Sequence, residues 1–371
     1  MIFFMRLLVD PEIFFYSRCG MVRYYSMLAQ QLREAGMEVT IPLYLSKSDF
    51  IDGRFQKIYH FIFNRSRNFI VNRVNRLSKK WYYKCIEEND FDVLMITSPV
   101  FEDVFLQYLD SNKPFIMVVH DTMRCVLGPD GLYDPAGANA DRLAFLARRA
   151  TKVICISNKT KKDLLKLTSI NEEKITVIHT GNLLNLSIEA SPVDKLPERY
   201  LLFVGDRTGR KNFRFFIRAI SGWLEKQEKL FVVCTGSSTK WEQDLLKSLH
   251  IEGKVLFVEA PDYVLVHLYK NAIALVYPSL YEGFGLPVLE AMSLGCPVVT
   301  SEMEALMEVG GDAVMYIDPY SESSILKGVQ SIVENQETAL VLKSKGLSRA
   351  EQLTIQRMVH SFKQEILACV E

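Results

Sequence analysis

Two glutamates, Glu282 and Glu290, flank the run Gly283-Phe284-Gly285-Leu286-Pro287. A carboxylate accepts hydrogen bonds from neighbouring hydroxyls, the way ribose and hexose rings are held. Earlier in the chain, the stretch Gly205-Asp206-Arg207-Thr208-Gly209-Arg210-Lys211-Asn212 sets two adjacent cations before an amphipathic run, Phe213, Phe216, Ile217, Ile220 and Leu224. Fixed cations beside the free amides of a helix start suit a diphosphate. In the first half, His120-Asp121 closes an apolar run at 115–120. An anion site with carboxylates for hydroxyls describes a sugar nucleotide. The plain alternatives are surface glutamates, a solvated basic turn and a structural histidine.

These residues need a scaffold. Residues 273–277 read as a buried strand, Pro287 as the first turn of a helix, Gly295 as its end, and 297–301 as the next strand. Gly283 and Gly285 let a ligand approach the backbone. Other strand-like runs in this half are 200–204, 230–235, 255–259 and 314–317, with helices at 321–334 and 338–371. Asn212 suits a helix N-cap. The first half follows the same grammar. Strands are expected at 2–9, 39–45, 91–97, 115–120, 153–157 and 175–179, with a helix from Met21 that Gly36 ends. Its first turn holds Gly20 but no G-x-G-x-x-G fingerprint. Residues 189–198, with Pro192 and Pro197, read as a linker. We therefore expect α/β domains at 1–190 and 197–353, both doubly wound, with a cleft between them and a final helix at about 354–371 packing back on the first.

The wording Glu282-Gly-Phe-Gly-Leu-Pro-Val-Leu-Glu290-Ala-Met resembles the E-x7-E signature of the retaining GT-B glycosyltransferases of family 4. Arg210-Lys211-Asn212 is similar to that family's diphosphate loop, and the resemblance runs from Gly20 to Asp318-Pro319. It implies two Rossmann-like domains and transfer of a sugar from a nucleotide donor with retention. Arg210, Lys211 and the helix start by Gly285 would stabilise the departing diphosphate. Glu290 would hold the ribose, Glu282 would face the donor hexose, and His120 would lie close to the donor sugar. Gly205, Gly283, Phe284 and Leu286 would complete the donor site. Gly20 would lie near the donor phosphate, although Cys19 stands where the family usually has a second glycine. The loop after 255–259 would border the base. No Asp-x-Asp motif falls where a metal would be needed, so no cofactor or metal is expected. The wording is most like the mannosyltransferases of surface-polysaccharide assembly, which favours GDP-mannose as donor, with a UDP-sugar as the alternative, and a glycan or lipid-linked glycan as acceptor. The rivals are a sugar-nucleotide epimerase of the same fold, a glycosidase, and a non-catalytic sugar-nucleotide-binding protein.

The 371 residues are 49% hydrophobic and 24% charged, with formal net charge +0, which argues against a nucleic-acid partner. Seven scattered cysteines without a C-x-x-C pair suggest reduced thiols and a cytoplasmic location. The apolar start is short and holds Arg6, fitting a strand better than a signal peptide, and no membrane span is expected. Residues 53–84 carry nine Lys or Arg and no acid, threaded with Phe55, Ile58, Ile62, Phe69, Val74, Leu77 and Trp81 near one helical face. Such a helix either lies on an anionic membrane, here the inner face where a lipid-linked acceptor would be met, or packs its apolar face on the first domain.

Overall fold

The computed structural model describes residues 5–16, 20–46, 68–97, 101–126, 138–186, 188, 196–207 and 209–370. The chain divides into two units, Met1–His179 with Ile355–Glu371, and Thr180–Thr354. The division precedes the proline-bearing linker because residues 182–184 already belong to the second unit. The Asn182 N–H donates to the Leu353 carbonyl, and Leu183 and Leu184 are buried.

The first unit runs β1 (Arg6–Val9), α1 (Gly20–Glu34), β2 (Glu38–Thr40), α2 (Asn68–Glu88), β3 (Val93–Ile96), β4 (Phe115–Val119), α3 (Met123–Val126), α4 (Ala138–Arg149), β5 (Lys152–Cys155), α5 (Asn158–Leu167) and β6 (Ile175–Val177). Its sheet has the order β2-β1-β3-β4-β5-β6, with every pair parallel. Central strands such as Val-Leu-Met-Ile at β3 are buried along their whole length, as expected when helices cover both faces. Asp10 follows β1 where the strand order reverses. Its carboxylate accepts from the backbone N–H groups of Glu12 (2.8 Å) and Thr97 (3.3 Å).

Helix α2 is rotated from its expected setting. Residues 53–67 lie outside the described residues, as do the side chains of 68–70. Along the rest, Val71, Ser78, Tyr82 and Ile86 are buried, whereas Leu77 is 48% exposed. Tyr82 and Ile86 join the first unit's core, and Ser78 Oγ accepts from the Tyr44 N–H (3.1 Å). Those anchors turn Arg73, Arg76, Leu77, Lys80 and Lys84 outward.

The second unit runs β7 (Tyr200–Phe203), α6 (Phe213–Leu224), β8 (Phe231–Thr235), α7 (Lys240–Ser248), β9 (Val255–Val258), α8 (Asp262–Asn271), β10 (Ala274–Tyr277), α9 (Leu286–Ser293), β11 (Val298–Ser301), α10 (Glu304–Gly310), β12 (Met315–Ile317), α11 (Glu322–Val333) and α12 (Gln336–Ala350). Its parallel sheet is ordered β12-β11-β10-β7-β8-β9. The chain starts at the centre, winds outward through β8 and β9, then returns to β10 and winds the other way. The apolar stripe of α6, from Phe213 to Leu224, is fully buried against this sheet.

The helix expected over 338–371 is two helices. The chain turns at 351–354, where Leu353 is buried, and resumes as α13 (Ile355–Leu367) in the first unit. There Phe362 packs against Tyr24 of α1, and Lys363 Nζ donates to the Ala35 carbonyl (2.7 Å). The six cysteines among the described residues are unpaired. No helix among the described residues is long and apolar enough to cross a membrane.

Candidate functional site

In an open α/β sheet, ligands bind outside the carboxyl ends of the strands at the point where strand order reverses. In the second unit that point lies between β7 and β10, paired at Leu201–Ala274 and Leu202–Leu275. The loops leaving these two strands carry both sequence signals. After β7, Gly205 has φ 107°, a left-handed setting that suits glycine, and its N–H donates to Thr235 Oγ1 (3.1 Å). A single helical turn, Gly209–Lys211, follows and presents Arg210 and Lys211. Asn212 stands at the N-cap position but does not cap. Its backbone is left-handed (φ 60°), and its Nδ2 donates to the Pro319 carbonyl (2.8 Å). The loop after β10 is stitched to this turn by the Leu280 N–H, which donates to the Arg210 carbonyl (2.7 Å).

Glu282 is the centre of the assembly. Its Oε1 accepts from Arg210 Nη1 (2.7 Å), Lys211 Nζ (2.7 Å), the Tyr277 hydroxyl (2.9 Å) and Ser279 Oγ (2.6 Å). Lys211 Nζ also donates to the Tyr277 hydroxyl, and Arg210 Nη1 to the Tyr281 carbonyl (3.1 Å). The side chains of Lys211 and Glu282 are each 9% exposed, that of Arg210 30%. Burial alone would raise the Glu282 carboxyl. The charges of Lys211 and Arg210 outweigh it and hold the group below the usual carboxylate range. Burial pulls Lys211 down, and Glu282 offsets only part of that.

Glu290 lies on α9, buried, with Oε2 accepting from the Tyr269 hydroxyl of α8 (2.9 Å). Gly285, at the N-cap of α9, has φ 112°, and a Cβ there would come within 2.6 Å of Leu306 on α10. Only glycine permits that close start. Pro287 falls in the first turn and Gly295 just past the end, both where the sequence puts them. Phe284 is buried, while Gly283 and Leu286 are partly exposed beside it. Along the same sheet edge a cavity of about 390 Å³ is lined by Gly205, Asp206, Arg207, Gly236, Glu259 and Ala260.

Arg207 does not join the other two cations. It is buried, paired with Glu242 of α7, bonded to the Thr235 and Ser237 carbonyls, and set over the Phe257 ring. Tyr269, Tyr277, Ser279 and Glu242 were not singled out by sequence. No motif marks them: Tyr269 and Glu242 meet their partners across 21 and 35 positions, and Tyr277 and Ser279, five and three residues before Glu282, are ordinary residue types for a strand end.

His120 and Gly20 belong to the first unit. Gly20 opens α1, and His120 follows β4 with its ring edge-on to Tyr24 (4.7 Å) and Tyr25 (5.3 Å) of that helix. The His120 Nε2 is completely covered and, among the described residues, makes no hydrogen bond. Burial lowers its pKa to about 4, so the ring is neutral at pH 7. Asp121 caps the following turn, accepting from the Met123 N–H (3.0 Å). Among the described residues no three His, Cys, Asp or Glu converge as a metal set.

Two parallel six-stranded sheets flanked by helices define the GT-B fold. Sucrose-phosphate synthase from Thermosynechococcus elongatus shares that fold, with a TM-score of 0.74 over 97% of this chain and 98% of its own at 17% identity. Residues 19–182 match the family described as Glycosyltransferase Family 4, and residues 187–349 match Glycosyl transferases group 1. The chain therefore belongs to glycosyltransferase family 4. It is 32% identical to O-antigen chain mannosyltransferase RfbU of Salmonella typhimurium over 51% of this chain and 53% of that protein. To O-antigen chain mannosyltransferase B of Escherichia coli it is 29% identical over 55% and 57%. The matches thus span a little over half the length of these curated relatives.

Proposed function

We propose that this protein is a retaining glycosyltransferase that moves a hexose, with mannose favoured, from a nucleotide-diphosphate sugar to a glycan or lipid-linked glycan in surface-polysaccharide assembly. The observation that carries the reading is the convergence of Arg210, Lys211 and Glu282 where the second sheet reverses its strand order. Two fixed cations beside the start of α9 stabilise the charge that grows on a departing diphosphate. Buried Glu290 suits the ribose hydroxyls, and the cavity beside Glu259 and Ala260 suits the base. The kinship with two O-antigen mannosyltransferases supports mannose and a polysaccharide acceptor. Because protein cations neutralise the leaving group, the reaction proceeds without a metal.

The test is incubation with GDP-, UDP- and dTDP-sugars plus a lipid extract, following nucleotide and sugar by mass spectrometry, with and without EDTA. We expect free nucleotide diphosphate and a glycosylated acceptor, undiminished by EDTA. An epimerised donor, a hydrolysed glycan or binding without turnover each points to a different class and sinks the reading.

A further inference from the structure

We propose that Glu282 is the counter-ion that keeps Arg210 and Lys211 charged and aligned before a donor arrives, and that the donor's diphosphate takes both cations from it, releasing its carboxylate toward the hexose hydroxyls. This rests on the reading of the site as a nucleotide-sugar site.

One oxygen, Oε1, gathers four donors, and the side chain is nine-tenths covered. An Oε1 so engaged has no lone pair left for a sugar hydroxyl, so while it anchors the cations only Oε2 can face the hexose, and freeing Oε1 gives the sugar a second acceptor. The anchoring role has a physical need behind it. Lys211 Nζ lies under the Tyr277 ring (4.4 Å from its centroid), and a buried ammonium without an anion sheds its proton. Four groups face it. Arg210 repels it, Tyr277 is a neutral hydroxyl, and Asp206 sits on an exposed part of its own loop. Glu282, in contact at 2.7 Å, is the anion that holds the charge in place. One carboxylate against two cations leaves a net positive site, so an arriving diphosphate is still attracted. The diphosphate presents several acceptor oxygens at comparable hydrogen-bond distance and carries more charge than the carboxylate it displaces.

Calorimetric titration with GDP and with UDP tests this, from about pH 6 to about pH 9 and in buffers of different ionisation enthalpy. The wild type and Glu282→Asp are expected to keep a flat affinity between pH 7 and 9 and to bind without proton uptake. Glu282→Gln is expected to bind at least as tightly as wild type near pH 6. As pH rises it should take up about one proton per nucleotide and lose about tenfold in affinity per pH unit once its free Lys211 is neutral. A Glu282→Gln profile that follows wild type overturns the proposal. If the wild type binds neither nucleotide, the nucleotide-sugar reading fails and the proposal with it. Should Glu282→Gln not fold, a crystal structure of the wild type with GDP decides. Arg210 Nη1 and Lys211 Nζ on phosphate oxygens support the exchange, and both cations still on Glu282 Oε1 overturn it.

Discussion

At Glu290 a buried carboxylate accepts from the Tyr269 hydroxyl, and that pairing separates binding from turnover. If ribose hydroxyls donate to Glu290, Glu290→Ala should weaken GDP or UDP binding by roughly 1.5–3 kcal/mol, the range for a charged hydrogen bond. Tyr269→Phe removes only the orienting bond and should cost about 1 kcal/mol, seen as a higher donor KM with little change in kcat. Unchanged nucleotide affinity in Glu290→Ala would sink the ribose assignment. The two glutamates were legible because their spacing and the glycines between them form a continuous word. Their partners were not. Tyr277, Ser279 and Tyr269 are residue types found in any sheet edge, and Arg210 meets Glu282 across 72 positions. For Arg207 the sequence does not choose between a third cation and a surface residue, because it cannot show that Glu242, 35 residues on, is folded beneath it.

Helix α2 shows where periodicity misleads. Counting apolar residues from Phe55 to Trp81 finds a face through Leu77, but the helix runs on to Glu88 and its register is set by Tyr82 and Ile86. The neighbouring position, Ser78, turns inward, and Leu77 is left among exposed Arg73, Arg76, Lys80 and Lys84. Strand positions were more legible, since continuous apolar runs admit one reading in a sheet covered on both faces. The outward cations keep the membrane reading open as a proposal. Each basic residue near an anionic leaflet contributes on the order of 1 kcal/mol. The wild type should sediment with anionic vesicles at low salt and be released as salt rises. The combined Arg73→Glu, Arg76→Glu and Lys80→Glu variant should remain in the supernatant. Wild-type protein indifferent to anionic vesicles would leave α2 as a packing helix alone.

For the folded molecule, two buried groups of the first unit set opposing responses to pH. Burial raises Asp10 to about 6, against the pull of the Glu12 and Thr97 N–H groups. Its stabilising contribution is therefore full at low pH and lost as pH rises through that value. His120, lowered to about 4 by burial, stays neutral while an unfolded histidine takes a proton near 6.5, so its contribution is full above that pH and lost on acidification. The two slopes oppose each other between about pH 4 and 6.5. His120→Gln should unmask the Asp10 slope. Relative to wild type, its urea-unfolding free energy should rise by about 2–3 kcal/mol as pH falls from 7 to 4.5. Parallel curves would show that His120 is not a buried neutral ring. The return of α13 to the first unit has a further consequence, for the order in which the chain can mature. The second unit is one uninterrupted segment, and every residue of its core precedes Ile355. The first unit is discontinuous. Phe362 and Ile366, both fully buried, and the Lys363–Ala35 bond across 328 residues arrive only after the whole second unit has been made. On the ribosome, the first unit is therefore begun before the second and completed after it, and α1 keeps an uncovered apolar flank until α13 emerges.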